Sequence, residues 1–143
     1  MINLLGLELL DKKDAPEFEQ YFSDLEANIS ELCSRVITVV FVNDNQMISL
    51  NSSFRNKNAT TDVLSFPYEN EEFEENEEFL GEVVISVEQA QKQATENDLD
   101  LGVEIKQLIL HGILHLLGYD HETDDGEMNS IELCLRDKIF INQ

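Results

Sequence analysis

The sequence predicts one compact α+β domain spanning residues 1–143, with a small mixed sheet and a buried helix. Three observations lead there. A chain of 143 residues is long enough for one real hydrophobic core and short for two. Apolar residues make up 42% and charged residues 27%, both ordinary values for a folded globular chain. Segments of helical period and runs rich in β-branched residues follow one another in mixed order, with short connections and no internal repeat or linker.

The elements are predicted in chain order. Residues 2–10 are expected to form a short first strand. In 14–35, Phe18, Phe22, Leu25, Ile29 and Leu32 recur at helical spacing and give one buried stripe. Asp14 is a plausible cap for this helix, and Pro16 sits in its first turn, where a missing N–H costs nothing. The run VITVVFV, residues 36–42, has the β-branched content of a strand. Asn43 or Asp44 then caps a short helix expected to turn Met47, Ile48, Leu50 and Phe54 inward. A polar loop leads into DVLSFP, 62–67, a strand stopped by Pro67. The next stretch carries seven glutamates between Glu69 and Glu78 and is best taken as an acidic surface loop or hairpin tip. GEVVISV, 81–87, is another strand, and Ser86 with Gln89 has capping-box spacing for a helix to about Glu96. Residues 101–117 are apolar nearly all round, as in a buried helix. A last helix is expected from about Glu127.

Composition limits the function. The two cysteines, Cys33 and Cys134, make no CxxC pair and each falls among apolar residues, so buried free thiols in a reducing compartment are expected. No basic n-region or cleavage site opens the chain, and the longest apolar run, 108–117, is far below the roughly 20 residues of a membrane span. A soluble, cytoplasmic protein with no membrane partner is the expectation. The formal net charge is −21, from 30 acids against 9 bases, which repels polyanions at long range and argues against a nucleic-acid partner. Taking away the seven glutamates of 69–78 (−21 less seven acids) still leaves −14, so that segment is not the sole cause.

The strongest chemical signal is HGILHLLGYDH, 111–121, which contains all three histidines of the chain. His111 and His115 are four apart, one turn apart on one helix face, where both can ligate one ion. Gly118 can end the helix in a left-handed turn and bring His121 round to them. Three neutral imidazoles with an open fourth position make a zinc-type site for one Zn2+, which lowers the pKa of bound water toward ~7. One histidine on an apolar helix is usually a hydrogen-bonded core residue; three in this spacing, with none elsewhere, are not. Three imidazoles suit nickel as well as zinc.

The spacing HxxxHxxGxxH is that of zincin-type metal helices in metzincin proteases, with Met128 in reach of the Met-turn role. Where those enzymes carry a general-base glutamate, this chain has Gly112, which disfavours peptide hydrolysis. The window resembles instead the H-G-x-L-H-L-x-G-Y-D-H signature of the YbeY family of bacterial rRNA maturation factors. LNSSFRNKNATTDVLSFP, 50–67, resembles that family's N-x-x-[FY]-R…T-D-V-L-S-F-P block, and GEVVIS, 81–86, its G-[DE]-[IV]-x-I-S strand. The three segments stand in the family's order and approximate spacing. The resemblance implies a zinc-dependent endoribonuclease that processes ribosomal RNA, notably the 16S rRNA 3′ end, and serves ribosome quality control. It places the metal ligands on His111, His115 and His121 and the functional arginine on Arg55. The glutamate-rich stretch at 69–78 departs from the family's motifs.

The remaining candidates each have a plainer reading. Arg55 could clamp a phosphate or form a surface ion pair. Asp120 could orient an imidazole, shuttle a proton or hold a turn. Asp62 and Ser65 are expected to be structural. Glu82 is a candidate general base or a solvated strand-edge acid, and Tyr119 either stacks on a base or closes a turn over the core. Two answers to the charge conflict stand together. Arg55, Lys57 and Arg35 could build a local cationic cleft with the metal. Basic ribosomal proteins or assembly GTPases could dock on the acidic surface and deliver the enzyme to ribosomal RNA. The competing readings are an assembly factor whose zinc is structural, closed by Cys33 or Cys134, and a metzincin-like peptidase with a displaced base.

Overall fold

The computed structural model describes residues 1–10, 18–32, 34–56, 59–67, 79–119 and 130–135, with the Arg55 side chain outside that set. Strands β1 (Ile2–Leu5), β2 (Val36–Val42), β3 (Val63–Pro67) and β4 (Phe79–Ser86) make one sheet in the order β1-β2-β4-β3. β1 and β4 both run parallel to β2, and β3 runs antiparallel to β4, so the sheet is mixed. Helices α1 (Phe18–Asn28), α2 (Asp44–Arg55), α3 (Val87–Glu96) and α4 (Leu101–Leu116) accompany it, and residues 130–135 are helical.

The β-branched run of β2 becomes a central strand. Ile37, Val39 and Phe41 face the main core, built with Val83 and Ile85 of β4 and the inner sides of α1 and α4. The alternate residues Val40 and Val42 face the opposite side with Leu64 and Val84, where α2 covers them through Met47 and Leu50. Period-2 alternation therefore assigns every strand residue to one of two unequal layers. Phe18 packs its ring 6.0 Å from Phe41, and the Tyr21 hydroxyl donates to the Lys106 carbonyl at 2.6 Å, so α1 is fixed both to the sheet and to α4.

Several expectations are corrected. The first strand stops at Leu5; Gly6 turns the chain at φ +80 into a 3-10 turn over Leu7–Leu9. A left-handed glycine ends an extended segment at little steric cost. α1 ends at Asn28 and its stripe continues through a 3-10 turn at Ser30–Leu32, which keeps Ile29 and Leu32 buried. Phe54 does not point inward: it is 67% exposed and meets the Phe66 ring edge-on at 5.2 Å. Phe54 instead lines a groove over the sheet with Val40, Val42, Leu50, Phe66 and Val84. Cys134 is exposed rather than buried, because residues 130–135 turn Glu132 and Leu135 inward. Asp14, Pro16, Cys33, the acidic stretch 69–78 and the start of the last helix lie outside the described residues.

Two helix starts meet at one carboxylate. Asn43, not Asp44, caps α2, and with Gln46 it forms a reciprocal capping box. Ser86 caps α3 by accepting from the Gln89 backbone N–H at 3.3 Å, but the Gln89 side chain does not return the bond. It donates instead to Asp44 at 3.0 Å, and Ser86 Oγ and Thr60 Oγ1 donate to the other Asp44 oxygen at 2.7 and 3.0 Å. Partial burial pushes the Asp44 carboxyl upward, but the bonds from Ser86, Gln89 and Thr60 and the charge of Lys92 outweigh it. Asp44 therefore titrates below the usual carboxylate range. A depressed folded-state pKa contributes stability that is fully present above the unfolded value, about 3.9, and fades as pH falls through the folded one. Asp44→Asn is expected to cost about 1 kcal/mol at neutral pH, from weakened hydrogen bonds to a charged acceptor. Urea denaturation of both proteins between pH 7 and pH 3 checks this, since the gap should narrow at the acid end.

Candidate metal centre

α4 carries the first two histidines. It starts after Asp100 and runs sixteen residues, with Ile105, Ile109, Leu110, Ile113 and Leu114 at most 1% exposed. A helix so apolar must be enclosed on most sides. Its approach to the sheet depends on Gly112. A Cβ built there would stand 2.5 Å from Val83 Cγ1 and 3.2 Å from Ser65 Oγ. Ser65 Oγ donates to the Gly112 carbonyl at 3.1 Å, tying edge strand β3 to the same turn of helix. The position at which metzincins carry a general base is thus occupied by close helix–sheet contact, and a glutamate would collide with β4.

The helix ends as its glycine predicts. Gly118 has φ +100, its N–H donates to the His115 carbonyl at 3.0 Å, and the Tyr119 N–H donates to the Leu114 carbonyl at 3.0 Å. This pair of bonds is a Schellman motif, with Tyr119 folded back onto the main core. Tyr119 is therefore the aromatic that closes the turn.

His111 and His115 face each other one turn apart. Their Nε2 atoms are 3.0 Å apart and their rings meet edge-on, centroids 4.6 Å apart. Two imidazole nitrogens on one tetrahedral Zn2+ would stand about 3.3 Å apart, from bond lengths of 2.0–2.1 Å. The convergence fits two ligands of one ion to within a few tenths of an ångström. The same separation also allows a hydrogen bond, one ring donating and the other accepting according to tautomer. The other nitrogen of His111, Nδ1, lies 3.6 Å from Oε1 of Glu132, whose side chain is 7% exposed against 28% for His111. Asp62, Glu104, Gln107 and Glu132 line a cavity of about 180 Å³ beside His111.

The other candidates divide. His121, Asp120, Met128 and Lys57 lie outside the described residues, and no group of three His, Cys, Asp or Glu side chains converges among the described ones. Arg55 is the last residue of α2, directly before the left-handed Asn56. Asp62 accepts from the Val63 N–H at 2.9 Å while also lining the cavity beside His111, and Ser65 braces Gly112. Glu82 is exposed and lines the groove on the α2 side with Val84, whereas its neighbour Val83 meets α4. Pointing away from the histidines, it is not placed to act as their base. Arg35 precedes β2, with β4 between that strand and β3. Glu132 was missing from the sequence-based candidates. The available signal was a carboxylate three residues before Leu135, on the helix face that Leu135 buries.

A mixed four-stranded sheet with a histidine pair on an enclosed helix, closed by a glycine turn, defines a small α+β domain with a candidate metal-binding helix. The family profile described as Endoribonuclease YbeY matches residues 10–138. The chain belongs to that family. Its relatives include an endoribonuclease YbeY of Nautilia profundicola, 41% identical over 124 residues and covering 87% of this chain and 86% of the relative. Another, from Sulfurihydrogenibium sp., is 38% identical over 142 residues, covering 96% and 89%. A protein of Thermotoga maritima solved in solution superposes with a TM-score of 0.67 at 28% identity, covering 98% of this chain and 89% of that one. Among the described residues no helix is long and apolar enough to cross a membrane.

Gly112→Ala is expected to destabilise the fold by about 1–3 kcal/mol through overpacking against Val83. A lower urea midpoint with an unchanged m-value would show it.

Proposed function

We propose that this chain is a zinc-dependent, single-strand-specific endoribonuclease, one domain over 1–143, that acts in the cytoplasm on ribosomal RNA. Its task in this reading is maturation of the 16S rRNA 3′ end and ribosome quality control. The observation that carries it is the convergence of the His111 and His115 Nε2 atoms within the HGILHLLGYDH window of an endoribonuclease YbeY family member. His111, His115 and His121 would hold one Zn2+ in a zincin-like arrangement. The ion, when bound, supplies Lewis acidity toward a phosphate oxygen and a lowered pKa for bound water.

The chain's own residues supply the rest. Arg55, at the end of α2, is assigned to the scissile or neighbouring phosphate, where a planar guanidinium offers two parallel hydrogen bonds and a fixed positive charge. Gly112 and Ser65 hold α4 against β3 and β4, so the two imidazoles keep their spacing while substrate binds. His111 keeps partial exposure, which a ligand meeting external RNA requires. A closed structural zinc site finds no support from Cys134, which is exposed while Glu132 on the same helix faces His111. A peptidase finds none at position 112. Basic ribosomal proteins or assembly GTPases are the partners assigned to the acidic surface.

Cleavage of single-stranded RNA by highly purified protein, metal-loaded against chelated, tests the reading. His115→Ala and Arg55→Ala should each lower the rate at least 100-fold, about 2.7 kcal/mol in the barrier, while remaining folded. Undiminished cutting by both variants would mean that the activity is not this site's.

A further inference from the structure

The helical segment 130–135 reads SIELCL, and its orientation is unusual for that sequence. Glu132 is 6% exposed and Leu135 7%, while Leu133 between them is 50% exposed and Cys134 faces outward. A carboxylate is turned inward and a leucine is left in water. Burying a carboxylate is costly without a partner that favours its charge. The geometry supplies one. Oε1 of Glu132 lies 3.6 Å from Nδ1 of His111, and the opposite nitrogen of the same ring, Nε2, lies 3.0 Å from Nε2 of His115. The His111 ring therefore stands between a carboxylate and the point where the two imidazoles converge.

We propose that Glu132 is a positioning residue for the metal site: it holds His111 in the tautomer with the proton on Nδ1, leaving the Nε2 lone pair for the ion. A neutral imidazole has one N–H and one lone pair, and a carboxylate can only accept, so a carboxylate beside Nδ1 selects that tautomer. The same contact orients the ring. At 3.6 Å the two atoms stand just beyond hydrogen-bond range, and closing the gap takes a movement of about half an ångström. Asp62 and Glu104 line the same cavity, but the Asp62 carboxylate is held by the Val63 N–H. The inference rests on the metal reading of the histidines proposed above and adds a residue outside their motif.

The test is metal binding by the full chain, read with Co2+ and Zn2+ in competition with a chromophoric chelator, for wild type, Glu132→Gln and Glu132→Ala. Glu132→Gln keeps the shape and removes the charge, so its metal-free form should unfold at or above the wild-type urea midpoint. Both variants are expected to bind metal 10–100-fold more weakly. The exchange-protected Nδ1–H resonance of His111 in the imidazole 15N spectrum should be lost in Glu132→Ala and less protected in Glu132→Gln, whose amide oxygen still accepts but carries no charge. Wild-type affinity and an unchanged imidazole spectrum in both variants would overturn the assignment. So would weakened binding in Glu132→Ala alone, accompanied by a lower midpoint, since that describes packing. If the wild type binds neither ion, the metal reading fails and the assignment falls with it. If the wild type binds Co2+ but cuts no RNA, and the variants bind weakly, only the nuclease reading fails.

Discussion

Everything at the candidate site depends on how closely α4 lies against the sheet, and that distance is set by a side chain that is not there. With hydrogen at position 112, the helix backbone reaches Val83 of β4, and its carbonyl accepts from Ser65 on the edge strand. This brings α4 to the end of the sheet where β3 is the last strand. An enclosed helix has little room to present polar groups. Here, along one stripe, Glu104, Gln107 and His111 open onto a polar cavity. The glycine and the histidines are thus one arrangement: contact at 112 fixes the helix, and 111 and 115 keep partial exposure.

A second knot fixes the opposite face. Asp44 collects hydrogen bonds from Thr60, Ser86 and Gln89, joining the start of α2, the approach to β3 and the start of α3. Because β3 follows directly after Thr60 and Asp62, this carboxylate helps to set the register of the strand that carries Ser65. The Asp62 carbonyl also accepts from the Ser86 N–H at 2.9 Å, reinforcing the same junction. A polar cluster at one end of the sheet therefore holds the strand that holds α4.

Much of this was legible in the sequence, and the reasons differ by element. β2 was plain because six apolar residues and one threonine, mostly β-branched, fit a strand covered on both faces. α4 was plain from its continuous apolar character, and Gly118 from the residue type a left-handed turn requires. The fate of Phe54 was not legible, since helical period gives the face of α2 but not what that face meets. Ser86 and Gln89 had the spacing of a capping box, yet Gln89 went to Asp44, a competitor 45 positions away in the chain. Residues 130–135 misled for the deepest reason. Apolarity assigns Leu133 and Cys134 inward, whereas the structure turns in Glu132, beside His111 of α4. Gly112 was read as a missing catalytic base, while its positive role in packing needed Val83 in place.

The charge of −21 looks hostile to an RNA substrate, but distance decides how much of it matters. At physiological ionic strength, exposed charges farther than about 8 Å are largely screened. A phosphate seated at the histidines would respond chiefly to what lies within that radius. In the proposed reading, that is a divalent ion and Arg55 against Glu132, Asp62 and Glu104, the carboxylates that line the cavity beside His111. In that reading a divalent ion and an arginine offset the carboxylates nearby, although the molecule as a whole is strongly acidic. What the acidic surface does remove is long-range attraction, and with it the fast, salt-dependent capture on which most nucleic-acid enzymes rely. An enzyme arranged this way would cut poorly any RNA it meets by diffusion and cut well the RNA to which a basic partner has delivered it. In the proposed reading, the same acidity that repels free nucleic acid restricts the chemistry to one place.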